Sequence, residues 1–252
     1  MKIWFISGMT TIKKDHRKHF PYQHPTFGRG NKKKHPDSWK KTVYYWWWSY
    51  LKRNQEYLKC CESEGKGKLN TLYQDFGDVR SDDFKFWWSE NSRGMRLFSN
   101  PSSESVVEVL SEGDVVKGTD SLTVSFPLNL PKRYLKKRLN ELLIKHHTGR
   151  RGVQQAKNSK AKYQFKGQPN FAGLERALKV YDHLEKLKAQ GIKKPQWKVG
   201  MDLDILKDED RIKSTDYPGD AEIKRRTITA IVGRLKKKAL TSINRTSKGL
   251  FP

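Results

Sequence analysis

Residues 225–243 read RRTITAIVGRLKKKALTSI, and this stretch decides the fold class. Ile228, Ile231, Val232, Leu235, Ala239 and Ile243 recur at spacings of three and four, so they share one face of a helix. Arg225, Arg226, Thr229, Gly233, Lys236 and Lys237 fall on another. From residue 223 to residue 252 there are nine Lys or Arg and no Asp or Glu. A helix with one apolar stripe and one basic face docks on its own domain and presents the remainder to a polyanion. Thr229 and Gly233 are small, which lets the helix backbone come close to phosphates.

Upstream, Asn170 is placed to cap a helix whose Phe171, Leu174, Leu178, Tyr181, Leu184 and Leu187 line one face, and Gly191 ends it. The segment KKPQWKVGMDLDIL (193–206) offers a short second helix with Trp197, Val199 and Leu203 inward. Helix, short helix and basic helix over 170–252 is the order of a helix-turn-helix domain. The long acidic connection over 206–219 departs from the tight turn of the simplest such domains. Before it, Pro131 opens PKRYLKKRLNELLIKHH, with Leu135, Leu139, Leu142 and Leu143 as the apolar face. Lys132, Arg133, Lys136, Lys137 and Arg138 crowd the first half of this helix, where positive charge opposes the helix dipole. That conflict predicts that the charge serves a ligand. The loop that follows, through 169, carries Arg150 and Arg151 and no acidic residue.

Residues 38–130 read as an aromatic helical body. Helical pattern begins at Asp37, an expected N-cap, and continues through VYYWWWSYL with Trp47, Tyr50, Leu51, Tyr57, Leu58 and Cys61 as inward positions. Asn54 is expected to cap a second short helix. Base stacking by these aromatics is disfavoured, because consecutive helical residues point in different directions. Gly65 and Gly67 break the pattern. Leu69, Leu72, Tyr73 and Phe76 then predict a short helix ending at Gly77, and Ser81 or Asp82 is expected to cap another bearing Phe84, Trp87 and Trp88. From 105 to 130 the period changes: Val107 and Val109, then Leu122, Val124 and Phe126, alternate with other residues around Gly113, Asp114 and Gly118, which predicts a small β-hairpin. Residues 1–37 form a basic arm in which Met1 to Gly8 reads as extended. His16, His19, His24 and His35 lie in it without a nearby cysteine or finger spacing, so they read as part of a solvated polybasic segment, not a zinc site.

The chain of 252 residues carries a formal charge of +25, unevenly placed: +11 over 1–60, −5 over 61–130 and +19 over 131–252. Such a balance points to nucleic acid, less often to an anionic membrane or an acidic partner. No apolar run reaches the ~20 residues of a membrane span, so no membrane partner is expected. The adjacent Cys60 and Cys61 read as two plain thiols in a reducing compartment, here the cytoplasm. There is no P-loop, dinucleotide fingerprint, zinc finger or nucleophile motif, so no catalytic residue, cofactor or metal is assigned. Asp75, Asp78, Asp82 and Asp83 are expected to owe their clustering to helix capping, which explains at least two of them. Asp202, Asp204, Asp208, Glu209 and Asp210 crowd one loop, whereas phosphoryl-transfer sites gather carboxylates from several elements.

Several stretches resemble a family of uncharacterised proteins of bacterial prophages and integrative elements. They are YYWWWSYLKRNQEYLKCCE from Tyr44, LYQDFGDVRSDDFKFWW from Leu72, GMRLF from Gly94, LNLPKRYLKKRLNELL from Leu128, the 225–243 stretch and GLFP from Gly249. The resemblance implies a bacterial mobile-element setting and brings no activity with it.

The fold expected is mainly α with a small β-hairpin: a basic arm (1–37), an aromatic body (38–130), a basic helix and loop (131–169) and a three-helix, helix-turn-helix-like domain (170–252). The expected function is nucleic-acid binding, to double-stranded DNA above all, in a regulatory or architectural role, with a homo-oligomer compatible with it. The binding set is Lys132, Arg133, Lys136, Lys137, Arg150, Arg151, Arg225, Arg226, Thr229, Lys236 and Lys237. Two competing classes are a virion, scaffold or packaging protein with basic arms, and a metal-dependent nuclease or defence effector.

Overall fold

The computed structural model describes residues 20–27, 37–100, 122–147, 159–165, 169–203 and 205–251. Within them the chain is mainly helical: α1 (Val43–Leu51), α2 (Gln55–Glu62), α3 (Asn70–Phe76), α4 (Phe84–Ser89), α5 (Arg93–Phe98), α6 (Lys132–His146), α7 (Phe171–Ala189), α8 (Gln196–Asp202) and α9 (Pro218–Thr246). The first strand expected of the hairpin, with Val107 and Val109, lies outside the described residues. Residues 122–127, expected to form the second, adopt no strand, and Leu122 and Phe126 are exposed. Alternation alone does not hold a strand without a packed face beneath it. Among the described residues the β structure is a single parallel bridge, Phe165 to Phe251.

Local chemistry sets the helix ends. Asp37 precedes only a 3₁₀ turn, Ser38–Lys41, and offers no side-chain cap. Thr42 starts α1 instead, accepting from the backbone N–H of Tyr45 while its hydroxyl donates to the Trp39 carbonyl at 2.7 Å. Asn54 caps α2 through the Tyr57 N–H at 2.9 Å, and Asn170 caps α7 through the Gly173 N–H at 2.9 Å, both as expected. Asp83, not Ser81 or Asp82, caps α4 through the Phe86 N–H. Gly77 ends α3 and Gly191 follows α7, both with positive φ, a conformation that glycine adopts without strain.

α1 is enclosed on nearly every side: Val43, Tyr44, Trp46, Trp47, Trp48, Tyr50 and Leu51 are all buried. Around it α3, α4 and α5 supply Phe76, Phe84, Trp87, Trp88, Leu97 and Phe98. Buried aromatics of this size remove roughly 150–250 Å² each from water, and they meet here in tilted, stacked and edge-to-face contacts, such as Trp88 on Phe98 at 6.0 Å and 7°. The indole N–H groups of Trp46, Trp47 and Trp48 find no acceptor among the described residues. An orphaned buried donor costs about 1–3 kcal/mol, and nothing in the surrounding packing explains these three.

Distant parts of the chain close this same core. Phe165, Leu174, Ala177, Leu178, Tyr181, Ala239, Ile243 and Phe251 belong to it. The Phe251 ring lies 5.8 Å from Trp47 and 5.4 Å from Tyr50. Buried polar ties run alongside. The Tyr50 hydroxyl donates to the Leu174 carbonyl at 2.9 Å, and the Asn54 amide donates to the Ile243 carbonyl at 3.1 Å. Arg53 grips Asp182 of α7 through two nitrogens, at 3.0 and 2.7 Å.

A second, smaller core holds α7, α8 and α9 together. Val180, Val199, Ile205, Leu206, Ile228 and Val232 are its buried members. Gly200 lets α8 come close to α9, since a β-carbon there would sit 2.3 Å from Ile228 Cγ2. α6 stands apart. No residue of it is buried, and Leu135, Leu139 and Leu142 are half-buried without joining either core. No described helix is long and apolar enough to cross a membrane.

Candidate nucleic-acid interface

α9 has 29 residues, the longest described helix, and opens with Pro218 at its first turn, where a missing N–H costs nothing. Its inward stripe is Ile228, Val232, Ala239, Ser242, Ile243 and Thr246, all buried. Ile231 and Leu235, expected inward, are half-buried at the flank of the smaller core. The opposite face is open. Arg225, Arg226, Thr229, Ala230, Arg234, Lys236, Lys237 and Lys238 are exposed, and Gly233 is half-exposed.

The helical period of about 100° per residue sorts these side chains. Arg226, Ala230, Gly233 and Lys237 run along the middle of the outward face. Arg225 and Lys236 lie on one flank, Arg234 and Lys238 on the other. Small residues thus occupy the centre, and cations occupy its ends and both edges. Arg226 and Lys237, eleven residues apart, lie about 16 Å apart along the axis.

Acidic neighbours neutralise only part of this charge. Glu222 is shared: one oxygen accepts from Arg226 Nε at 3.2 Å and the other from Arg225 Nη1 at 3.4 Å. One carboxylate against two guanidinium groups leaves a net positive charge. Arg225 also lies 5.3 Å from the centroid of the Trp197 ring, on α8, a cation–π contact that fixes its direction. Lys236, Lys237 and Lys238 form no ion pair with any described residue. Lys224 differs: its ammonium binds both Asp216 oxygens, at 2.8 and 2.9 Å, and the Arg211 carbonyl. The Lys213 N–H and Lys224 together hold the Asp216 carboxyl below the usual carboxylate range.

The expected binding set therefore divides. Arg225, Arg226, Thr229, Lys236 and Lys237 share the exposed side of α9. Lys132, Arg133, Lys136 and Lys137 are exposed on α6 without an ion pair among the described residues, but α6 has no extended interface with α9. Arg150 and Arg151 lie outside the described residues. Periodicity left out Arg234 and Lys238, which extend the basic edge of α9, and the place of Gln196 and Trp197 of α8, which lie beside Gly233 and Arg225. A single-helix reading carries no signal for the second group, because a short neighbouring helix brings them there.

The acidic clusters are engaged locally. Asp75 accepts from Lys162 Nζ and the Tyr163 hydroxyl, each at 2.6 Å. Asp78 pairs with Arg80, whose hydrogen bonds hold its carboxyl below the usual range. Asp82 pairs with Lys52. Of the four only Asp83 caps a helix, so ion pairing replaces the capping expected for a second one. In the later cluster Asp202 pairs with Lys194, and Glu209 with Lys207 at 3.1 Å; Asp204 lies outside the described residues. Among the described residues no three His, Cys, Asp or Glu side chains gather so as to hold a metal. His24 packs edge-on against Phe20 and Trp88, and desolvation there lowers its basicity. His16, His19 and His35 lie outside the described residues.

No protein-family model, curated protein or solved structure matches this chain.

Proposed function

We propose that the protein binds nucleic acid, and duplex DNA above all, through the outward face of α9. The observation that carries this reading is the distribution of charge on that face. Cations that acidic neighbours neutralise only in part line both edges and both ends of a strip of small residues. A polyanion with two parallel rows of phosphates meets such a helix on both edges. The major groove of B-DNA, about 12 Å wide, admits a helix whose centre is small. The order of α7, α8 and α9, with the basic helix last, is that of helix-turn-helix domains, and it supports the same assignment.

The proposed role is regulatory or architectural, in a bacterial mobile element. The exposed cations of α6 would add sequence-indifferent phosphate contacts. A packaging protein is the competing outcome, recognised by high-order assembly and equal affinity for all sequences. The deciding experiment is a gel-shift series with duplex DNA, single-stranded DNA and RNA at several salt concentrations. Duplex DNA should bind most tightly, with affinity falling steeply as salt rises. Equal, salt-insensitive retention of all three would overturn the proposal.

A further inference from the structure

The centre of the α9 face contains a glycine that the fold does not require. Gly233 has no positive φ. A glycine inside a helix costs roughly 0.5–1 kcal/mol relative to alanine. At two other helical glycines a packing reason is visible: a β-carbon on Gly200 would strike Ile228, and one on Gly94 would sit 2.2 Å from the Trp88 ring; Gly219, in the first turn of α9, like Gly233 meets no such obstacle. On Gly233 it would meet, among the described residues, only Gln196 Oε1, at an ordinary 3.7 Å. No described residue explains the missing side chain.

Over that gap lies a side-chain amide. Gln196 is the first residue of α8, half-exposed, and its side chain makes no hydrogen bond with any described residue. The next residue, Trp197, packs on the smaller core and carries Arg225 at its ring, so the start of α8 is fixed beside α9. A side-chain amide can present one N–H donor and its carbonyl acceptor side by side in a plane. That pair matches the N6 amino group and N7 of adenine in the major groove.

Resting on the duplex-binding reading above, we propose that Gln196 is a specificity-determining residue that reads an A·T base pair, with Gly233 leaving the room for that base edge to approach. Arg226 and Lys237 would set the register by phosphate contact, and Gln196 would choose the base.

The test uses the full chain and a library of duplexes with a randomised centre. The parent should select sites with a fixed A·T pair at one position. Gln196→Ala should lose discrimination at that position by about 5- to 150-fold, while its salt slope, set by the phosphate contacts, stays near the parent's. Gln196→Asn, which keeps the amide, should retain part of the preference. A parent that binds duplex DNA without preference, or a Gln196→Ala protein that selects the parent's site, overturns this inference and leaves the binding proposal standing. A parent with no salt-sensitive affinity for any duplex removes both.

Discussion

At the scale of single residues, the glycine that packing requires differs from the one it does not. Gly200→Ala forces a β-carbon into Ile228 and should destabilise the protein by about 1–3 kcal/mol through overpacking. Gly233→Ala meets only an ordinary contact among the described residues and should stabilise by roughly 0.5–1 kcal/mol. Denaturant melts of the two variants check this: midpoints moving in the same direction would contradict it. The cysteines are a second case. Cys60 and Cys61 are free and buried, and desolvation raises the pKa of both thiols. The thiolate is the reactive form, so neither should be alkylated by iodoacetamide in the native protein at neutral pH. Both should react once the chain is unfolded. Mass spectrometry reads the result, and rapid native labelling would show that α2 opens locally.

Several of these residues are legible in the sequence and others are not, for physical reasons. Asn54 and Asn170 announce themselves as caps because the interaction spans three residues. Asp37 caps nothing because its carboxylate pairs with Lys40 at 3.0 Å and only a 3₁₀ turn follows it, while Thr42, next to the first enclosed residue Val43, caps the helix itself. Asp75 cannot be assigned from sequence, because its partners Lys162 and Tyr163 lie nearly ninety residues away. Gln196 escapes notice because its interest depends on which glycine it faces.

At the scale of elements, α1 and α9 show two ways of using a helix. α1 is apolar almost all round, and the body encloses it. α9 is two-faced, and its stability should reside in one stripe. Ile228 is fully buried between α7 and α8, whereas Ile231 is half-buried. Ile228→Ala should therefore cost about 2–5 kcal/mol through loss of buried surface and a residual cavity, and Ile231→Ala distinctly less. Equal destabilisation in thermal or denaturant unfolding would show that the stripe is misplaced. The periodicity of 225–243 predicts the stripe itself but not its rotation, because α8 covers one flank and a lone helix cannot reveal which. The hairpin expected over 105–130 illustrates the opposite problem. Its alternation at 122–127 is a local signal with no packed surface to support it.

At the scale of the whole molecule, segments far apart in sequence meet in one aromatic core. Phe165 and Phe251 pair with each other and pack on Trp47. No local period encodes that closure. It fixes α9 against the body along its C-terminal half, through Ala239 and Ile243, and leaves its middle and N-terminal half to α7 and α8. The exposed basic face is thus held on a helix anchored by two cores. A rigid face of this kind suits a ligand with a fixed spacing of charges.

The most direct test of that claim is the salt dependence of duplex-DNA affinity for the parent chain and the Arg226→Ala/Lys237→Ala double variant. Exposed charges contribute little to stability, so the variant should unfold like the parent. If the parent neutralises about six phosphates, its log–log slope should be near −5, at about 0.9 per phosphate. The variant should bind more weakly, with the slope shallower by roughly one for each phosphate that it no longer neutralises. A folded double variant with the parent's affinity and slope would contradict the assignment of α9 as the DNA-binding face.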